Sequence, residues 1–139
     1  MNTMQLIPYL SFEGECEAAF KFYERYLGGK IEFIAPYESK PGEYDVPAEW
    51  GKRIMHATLR VGEQVLMGAD ALPNGYQKPQ GFSLTLGLKD PAEAERIFQA
   101  LAENGTVGMP LQETFWAFRF GVLTDRFGIP WTINCERTA

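Results

Sequence analysis

The 139-residue chain says nearly the same thing twice. Laid without a gap, Leu10 falls on Leu86, Glu17 on Glu93, Ala18 on Ala94, Phe22 on Phe98, Gly29 on Gly105 and Ile31 on Val107. Each copy reads strand, helix, glycine, strand. A repeat of this size exceeds a solenoid unit and points to two similar half-domains. Two halves that pack together form a cleft, and that cleft is where function is expected. Chance similarity between two ordinary amphipathic helices is the competing explanation.

Periodicity supplies the elements. Leu6 to Phe12 reads as a strand, with Pro8 placing it near a sheet edge because proline has no N–H for a ladder. Glu15 to Leu27 reads as a helix with an apolar stripe of Ala18, Ala19, Phe22, Tyr23 and Tyr26, stopped by Gly28-Gly29. Lys30 to Ala35 is a second strand. Pro36 to Gly51 is one long loop whose aromatics, Tyr37, Tyr44 and Trp50, favour a packed or binding loop over a disordered one. Arg53–Val61 and Gln64–Asp70 make a hairpin around Gly62-Glu63. In its first strand Met55, Ala57, Leu59 and Val61 share an apolar face, and Ile54, His56, Thr58 and Arg60 a more polar one. Leu72 to Gln80 links the copies. The second copy runs through a strand from Gly81 to Leu88 and a helix capped by Asp90-Pro91 and ended by Asn104-Gly105. Strands at Thr106–Leu111, Thr114–Thr124 and Pro130–Glu136 follow, with a turn at Asp125–Gly128. The order is βαβββ, twice.

A net charge of −5 and the absence of a basic run argue against a nucleic-acid partner. No segment approaches the roughly 18 apolar residues of a membrane helix. Met1 to Pro8 lacks the basic start and apolar run of a signal peptide. Cys16 and Cys135 have no metal or redox spacing and are expected to be free, buried thiols in a cytoplasmic protein.

Several phrases together are specific: Pro8-Tyr9-Leu10, Met55-His56-Ala57, Gln112-Glu113-Thr114-Phe115-Trp116, and Asp125-Arg126-Phe127-Gly128-Ile129-Pro130-Trp131. With the doubled βαβββ order they make the chain resemble the vicinal oxygen chelate superfamily, which holds glyoxalase I, bleomycin-resistance proteins and extradiol dioxygenases. Within it the match is to the PhnB-like, demethylubiquinone methyltransferase-like branch. The resemblance covers almost the whole chain. It implies an α+β fold, a single glyoxalase-like domain over residues 1–139, with modules at about 6–70 and 82–136 related by an approximate two-fold axis. The mixed β-sheets curl into a cup, with helices outside and a ligand within.

On that reading Leu84 and Leu86 meet a helix. Tyr9, His56, Thr58, Arg60, Ser83, Thr85, Thr132 and Asn134 look into the cup, joined by Phe118 and Phe120 if the strand phases match between copies. The resemblance implies that metal-dependent members hold a divalent ion with His, Gln or Glu from four strands. Those places fall near Ile7, Gly68, Ser83 and Thr132, none a usual ligand, and the chain has one histidine. No metal or other cofactor is therefore expected. His56 with Glu113 would be a partial site outside the family arrangement. His56 beside a carboxylate such as Glu113 or Asp70 could serve as a general base, against the plainer reading of a half-buried histidine bonded across a strand. A methyltransferase that binds S-adenosylmethionine on a doubly wound sheet needs a glycine-rich turn after its first strand, and none is present.

The functional expectation is a metal-free small-molecule-binding protein. Tyr9, His56, Arg60, Thr85, Glu113, Trp116, Phe118 and Asn134 form the ligand site, and Arg60 favours a carboxylate, phosphate or phosphonate. The alternatives are a metal-dependent lyase or dioxygenase and a drug-sequestering resistance-type protein. A homodimer is expected, because the first strand needs a partner or cover at its edge.

Overall fold

The computed structural model describes residues 3–137; Met1, Asn2, Thr138 and Ala139, at the ends of the expected 1–139 span, lie outside the described residues. The chain divides into two compact units, Met1–Gln77 and Lys78–Ala139. The first holds β1 (Tyr9–Phe12), α1 (Cys16–Leu27), β2 (Lys30–Pro36), β3 (Ile54–Val61) and β4 (Gln64–Asp70). The second holds β5 (Leu84–Leu88), α2 (Pro91–Ala102), β6 (Thr106–Gln112), β7 (Ala117–Thr124) and β8 (Pro130–Glu136). Their sheets share one pattern, β1-β4-β3-β2 and β5-β8-β7-β6, and in each the first-named pair is parallel and the others antiparallel. The fold is α+β, two four-stranded mixed sheets with one helix each, as the doubled sequence implied.

β1 is an edge strand, and it is shorter than the Leu6–Phe12 alternation suggests. The ladder reaches back only to the Pro8 carbonyl, which accepts from Met67 N at 3.0 Å, and Leu6 is 98% exposed. Proline offers no N–H to extend pairing outward. Likewise β5 starts at Leu84 rather than Gly81, and β7 at Ala117 rather than Thr114, whose hydroxyl accepts the Ala117 N–H at the strand's entry.

Each helix covers one sheet face. α1 buries Cys16, Ala19, Phe20 and Tyr23, and α2 buries Ala94, Ile97, Phe98 and Leu101, both at i, i+3, i+4, i+7 spacing. These faces correspond with Phe20, not Phe22, on Phe98, two residues away from the ungapped sequence match. The expected stripe in α1 is corrected accordingly. Ala18 is exposed, and Phe22 and Tyr26 sit half-buried at the flank as a ring pair 4.9 Å apart. Phe20 reaches Gly68, where a Cβ would stand 2.9 Å from its ring; Phe98 reaches Gly121, where a Cβ would stand 2.7 Å from its ring. Aromatic rings thus press on glycines in both sheets. α1 ends with Gly28 in the left-handed region at φ 74°, where a Cβ is penalised.

Both cysteines are fully buried. Burial pushes both thiols above their ordinary range, with Asp70 adding to the effect at Cys16 and Asp90 at Cys135. Thiolate is the reactive form. Neither cysteine is expected to react with a thiol reagent in the native protein, and both should react in denaturant. Rapid native labelling of Cys16, followed by mass spectrometry, would contradict this packing.

Candidate functional site

The face of each sheet away from its helix carries the polar and aromatic side chains. In the first unit the register places Tyr9, Met67, Thr58 and Phe33 in one row across four strands. His56 stands beside that row. The Tyr9 hydroxyl lies 3.0 Å from its Nδ1 and the Thr58 Oγ1 lies 3.2 Å from its Nε2. Tyr9 and Phe33 flank the imidazole, with ring centroids 5.6 and 5.9 Å away. Partial burial, then the neighbouring Cys16 and Tyr44, raise the Tyr9 phenol, so it stays an O–H donor at neutral pH. A neutral ring protonated on Nε2 satisfies both contacts: Tyr9 donates to Nδ1, and Nε2 donates to Thr58. His56 is a bonded, positioned imidazole.

Asp70 does not act on it as a partner base. Its carboxylate is 1% exposed and accepts from Gly14 N (2.8 Å), Cys16 N (3.0 Å) and Ile54 N (2.8 Å). Arg60 pairs through Nε with Glu32 at 2.9 Å, both side chains more than 40% exposed. Arg60 thus has a carboxylate already in hand. Glu32 is the extra residue of a bulge between Ile31 and Phe33. That bulge turns Ile31 toward α1 and Phe33 to the opposite face, although the two are two residues apart. Strict alternation would have put them together. Phe33 is therefore a residue of this helix-free face that sequence reading missed, and Glu32 between two apolar residues was its one signal.

In the second unit the phase of β7 resolves in favour of Phe120. Phe120 pairs with Asn134, while Arg119 turns to α2 and bonds Glu95 at 2.9 Å. Trp116 leans on Phe120 and Phe115, with centroids 5.2 and 4.9 Å away, and is 45% exposed. Phe118 falls at a bulge, with the Arg137 guanidinium 5.3 Å from its ring centroid. Arg137 also pairs with Glu113 and donates to the Thr114 carbonyl, so Glu113 is an exposed ion-pair partner. Thr85 faces Thr132, whose Oγ1 shares a 2.7 Å hydrogen bond with Ser83. Asn134 Oδ1 is buried and has no hydrogen-bond partner. Opposite it on β5 is Gly87, where an added Cβ would meet nothing within 4 Å.

The donor set does not fit a catalytic divalent metal of the superfamily kind. Gly68 faces Phe20, and the β4 side chain on the helix-free face is Met67. Ser83 and Thr132 offer neutral hydroxyls bonded to each other. Both nitrogens of His56 are engaged. Among the described residues no three His, Cys, Asp or Glu side chains converge. Such a metal calls for imidazole and carboxylate ligands.

A family model described as 3-demethylubiquinone-9 3-methyltransferase matches residues 4–134. Protein YjdN of Escherichia coli (strain K12) is 39% identical over 139 residues, covering 94% of this chain and 95% of its own. The crystal structure of protein PA1353 from Pseudomonas aeruginosa is 47% identical and superposes with a TM-score of 0.87, covering 98% of this chain and all of that one. A protein described as a putative 3-demethylubiquinone-9 3-methyltransferase, PhnB protein, from Bacillus cereus gives 24% identity and a TM-score of 0.79, over 96% of this chain and all of that one. The manganese-bound fosfomycin resistance protein FosX of Listeria monocytogenes shares the fold alone, at 6% identity and a TM-score of 0.67 over 99% of this chain and 95% of that one. The methyl transfer in the family's description has no doubly wound, glycine-turn sheet to rest on here, since each sheet holds a single parallel pair. With a family match over nearly its full length, the chain belongs to the PhnB-like 3-demethylubiquinone-9 3-methyltransferase family.

Proposed function

We propose that the chain is a small-molecule-binding protein that receives its ligand on the helix-free faces of its sheets, with no metal in the binding step. The observation that carries this is Asn134. Its amide oxygen is buried without a donor, and the strand beside it presents Gly87 and open space. Leaving a buried carbonyl unbonded costs about 1–3 kcal/mol, which a donor on a ligand would return. Thr85, Phe120, Trp116 and Phe118 supply the surrounding hydroxyl and aromatic surface. Tyr9, His56 and Phe33 supply a second polar and aromatic cluster in the first unit. A few directed polar groups on an apolar wall are the usual form of a small-ligand site. Arg60 and Glu113 would tune an anionic or cationic ligand only by exchanging partners, because each begins in an ion pair.

The test is to identify what copurifies. Native mass spectrometry of the parent should show a bound small molecule, and Gly87→Val should remove it. The added side chain meets no atom at its Cβ, and valine suits a strand, so the variant should fold at least as stably as the parent. A Gly87→Val protein that carries the same molecule at the same occupancy would place the ligand elsewhere.

Assembly as a homodimer belongs to the same proposal, supported by β1 and β5 as edge strands of their sheets. Sedimentation at micromolar concentration should give twice 15.7 kDa, and a clean monomer over that range would refute it. A cytoplasmic site of action is proposed alongside. Among the described residues no helix is long and apolar enough to cross a membrane.

A further inference from the structure

The geometry points to a second ligand site, for a small zwitterion carrying an ammonium and a carboxylate, at the end of the first sheet between Arg53 and Glu13. β1 and β4 are parallel, so both leave the sheet at this end, and antiparallel β3 enters there. That topology brings together Glu13 after β1, Arg53 before β3, and Ala71 to Tyr76 after β4. They line a pocket of about 330 Å³ with Trp50, Leu72, Pro73 and Asn74.

Two opposite charges line this pocket without pairing. Arg53 lies over the Trp50 ring, its guanidinium carbon 3.8 Å from the ring centroid, a cation–π contact that uses none of its N–H donors as hydrogen bonds. Its Nη1 is buried and has no hydrogen-bond partner. Arg53 makes room for itself at Gly14. A Cβ there would stand 3.3 Å from the guanidinium carbon, and Gly14 at φ 93° occupies backbone space that disfavours one. The nearby backbone N–H groups of Gly14 and Cys16 are already taken by Asp70. An incoming carboxylate is therefore left to Arg53, and an ammonium is left to Glu13. A simple anion would meet repulsion from Glu13, and a simple cation repulsion from Arg53; a molecule bearing both charges satisfies the two walls together. Leu72, Pro73 and the Tyr76 ring provide apolar surface for the carbon chain between them. None of these residues belongs to the helix-free faces, so this site stands or falls independently of the one proposed above.

The test follows the indole N–H signal of Trp50 in a heteronuclear correlation spectrum, assigned with Trp50→Phe. L-alanine, γ-aminobutyrate and ε-aminocaproate are titrated to about 20 mM, in the range of weak metabolite binding. These probes set the two charges at increasing separation. At least one should move the signal saturably. Its N-acetyl and methyl-ester forms should each bind about tenfold more weakly or worse, as expected when one charge-assisted contact is lost. Glu13→Gln, an exposed change that leaves the fold alone, should weaken the zwitterion to the same degree and, by removing a like charge, bind the N-acetyl form at least as well as the parent does. The site is overturned if none of the three probes moves the signal, if the blocked forms bind as well as the free zwitterion, or if Glu13→Gln binds it as tightly as the parent.

Discussion

Replacing Asp70 with asparagine or alanine is expected to cost about 3–5 kcal/mol of folding stability, the range for breaking one side of a buried charged network. The Asp70 carboxylate is the junction of the first unit. It ties Gly14 and Cys16, at the entry to α1, to Ile54, at the entry to β3. Its backbone carbonyl also receives the Tyr37 hydroxyl at 2.7 Å, which pins the start of the long loop. No side chain of Glu15 caps α1, so Asp70 acts as a cap from a distant strand. Alanine leaves three backbone donors without an acceptor. Asparagine keeps one oxygen but turns an N–H₂ toward donors. For a chain of this length the loss should lower Tm by about 10 °C or more. Denaturant unfolding followed by circular dichroism gives the number, and a loss under about 1 kcal/mol would mean that water substitutes at a site read here as dry.

The second large effect is expected at Asp125. This side chain is 3% exposed and accepts from Phe127 N (2.9 Å), Ile129 N (3.0 Å) and the Trp131 indole Nε1 (2.9 Å). It closes the turn into β8 and fixes the largest fully buried side chain of the protein. Asp125→Ala should cost about 3 kcal/mol or more. Trp131→Phe loses the indole donor and leaves a small cavity where the fused ring stood, so about 2–4 kcal/mol is expected. In Asp125→Ala/Trp131→Phe the costs should not add, because the shared bond is lost in either single variant. Additive losses would show that the indole–carboxylate bond contributes nothing of its own.

The candidate site was legible in the sequence only in part. The strand faces that carry His56 and Asn134 were legible, because alternation along β3 and β8 separates a polar from an apolar face and the structure keeps that separation. Phe120 was legible only conditionally. Both faces of β7 carry large residues, and the phase was set by Arg119 reaching Glu95 on α2. Phe33 was not legible, since a bulge at Glu32 reverses its face and hydropathy does not encode a bulge. Arg60 and Glu113 were legible as charges, but their partners Glu32 and Arg137 lie 28 and 24 residues away in sequence. The pocket of Arg53, Glu13 and Tyr76 was invisible, because strand direction rather than any local pattern brings its walls together.

The sequence by itself determined the doubled βαβββ order, the two helices, the edge position of the proline-bearing strand and the two faces of most strands. Each of these rests on local periodicity, caps and glycine or proline stops, which act within a few residues. Only the tertiary structure decided that Phe20 rather than Phe22 faces the sheet, because the choice depends on the space left by Gly68 in a strand far along the chain. It alone decided that Asp70 and Asp125 are structural acceptors and not chemical bases, because a carboxylate's role is set by which backbone donors the fold aims at it. And it alone left Asn134 without a partner, since an unsatisfied group is a property of its surroundings and not of its identity.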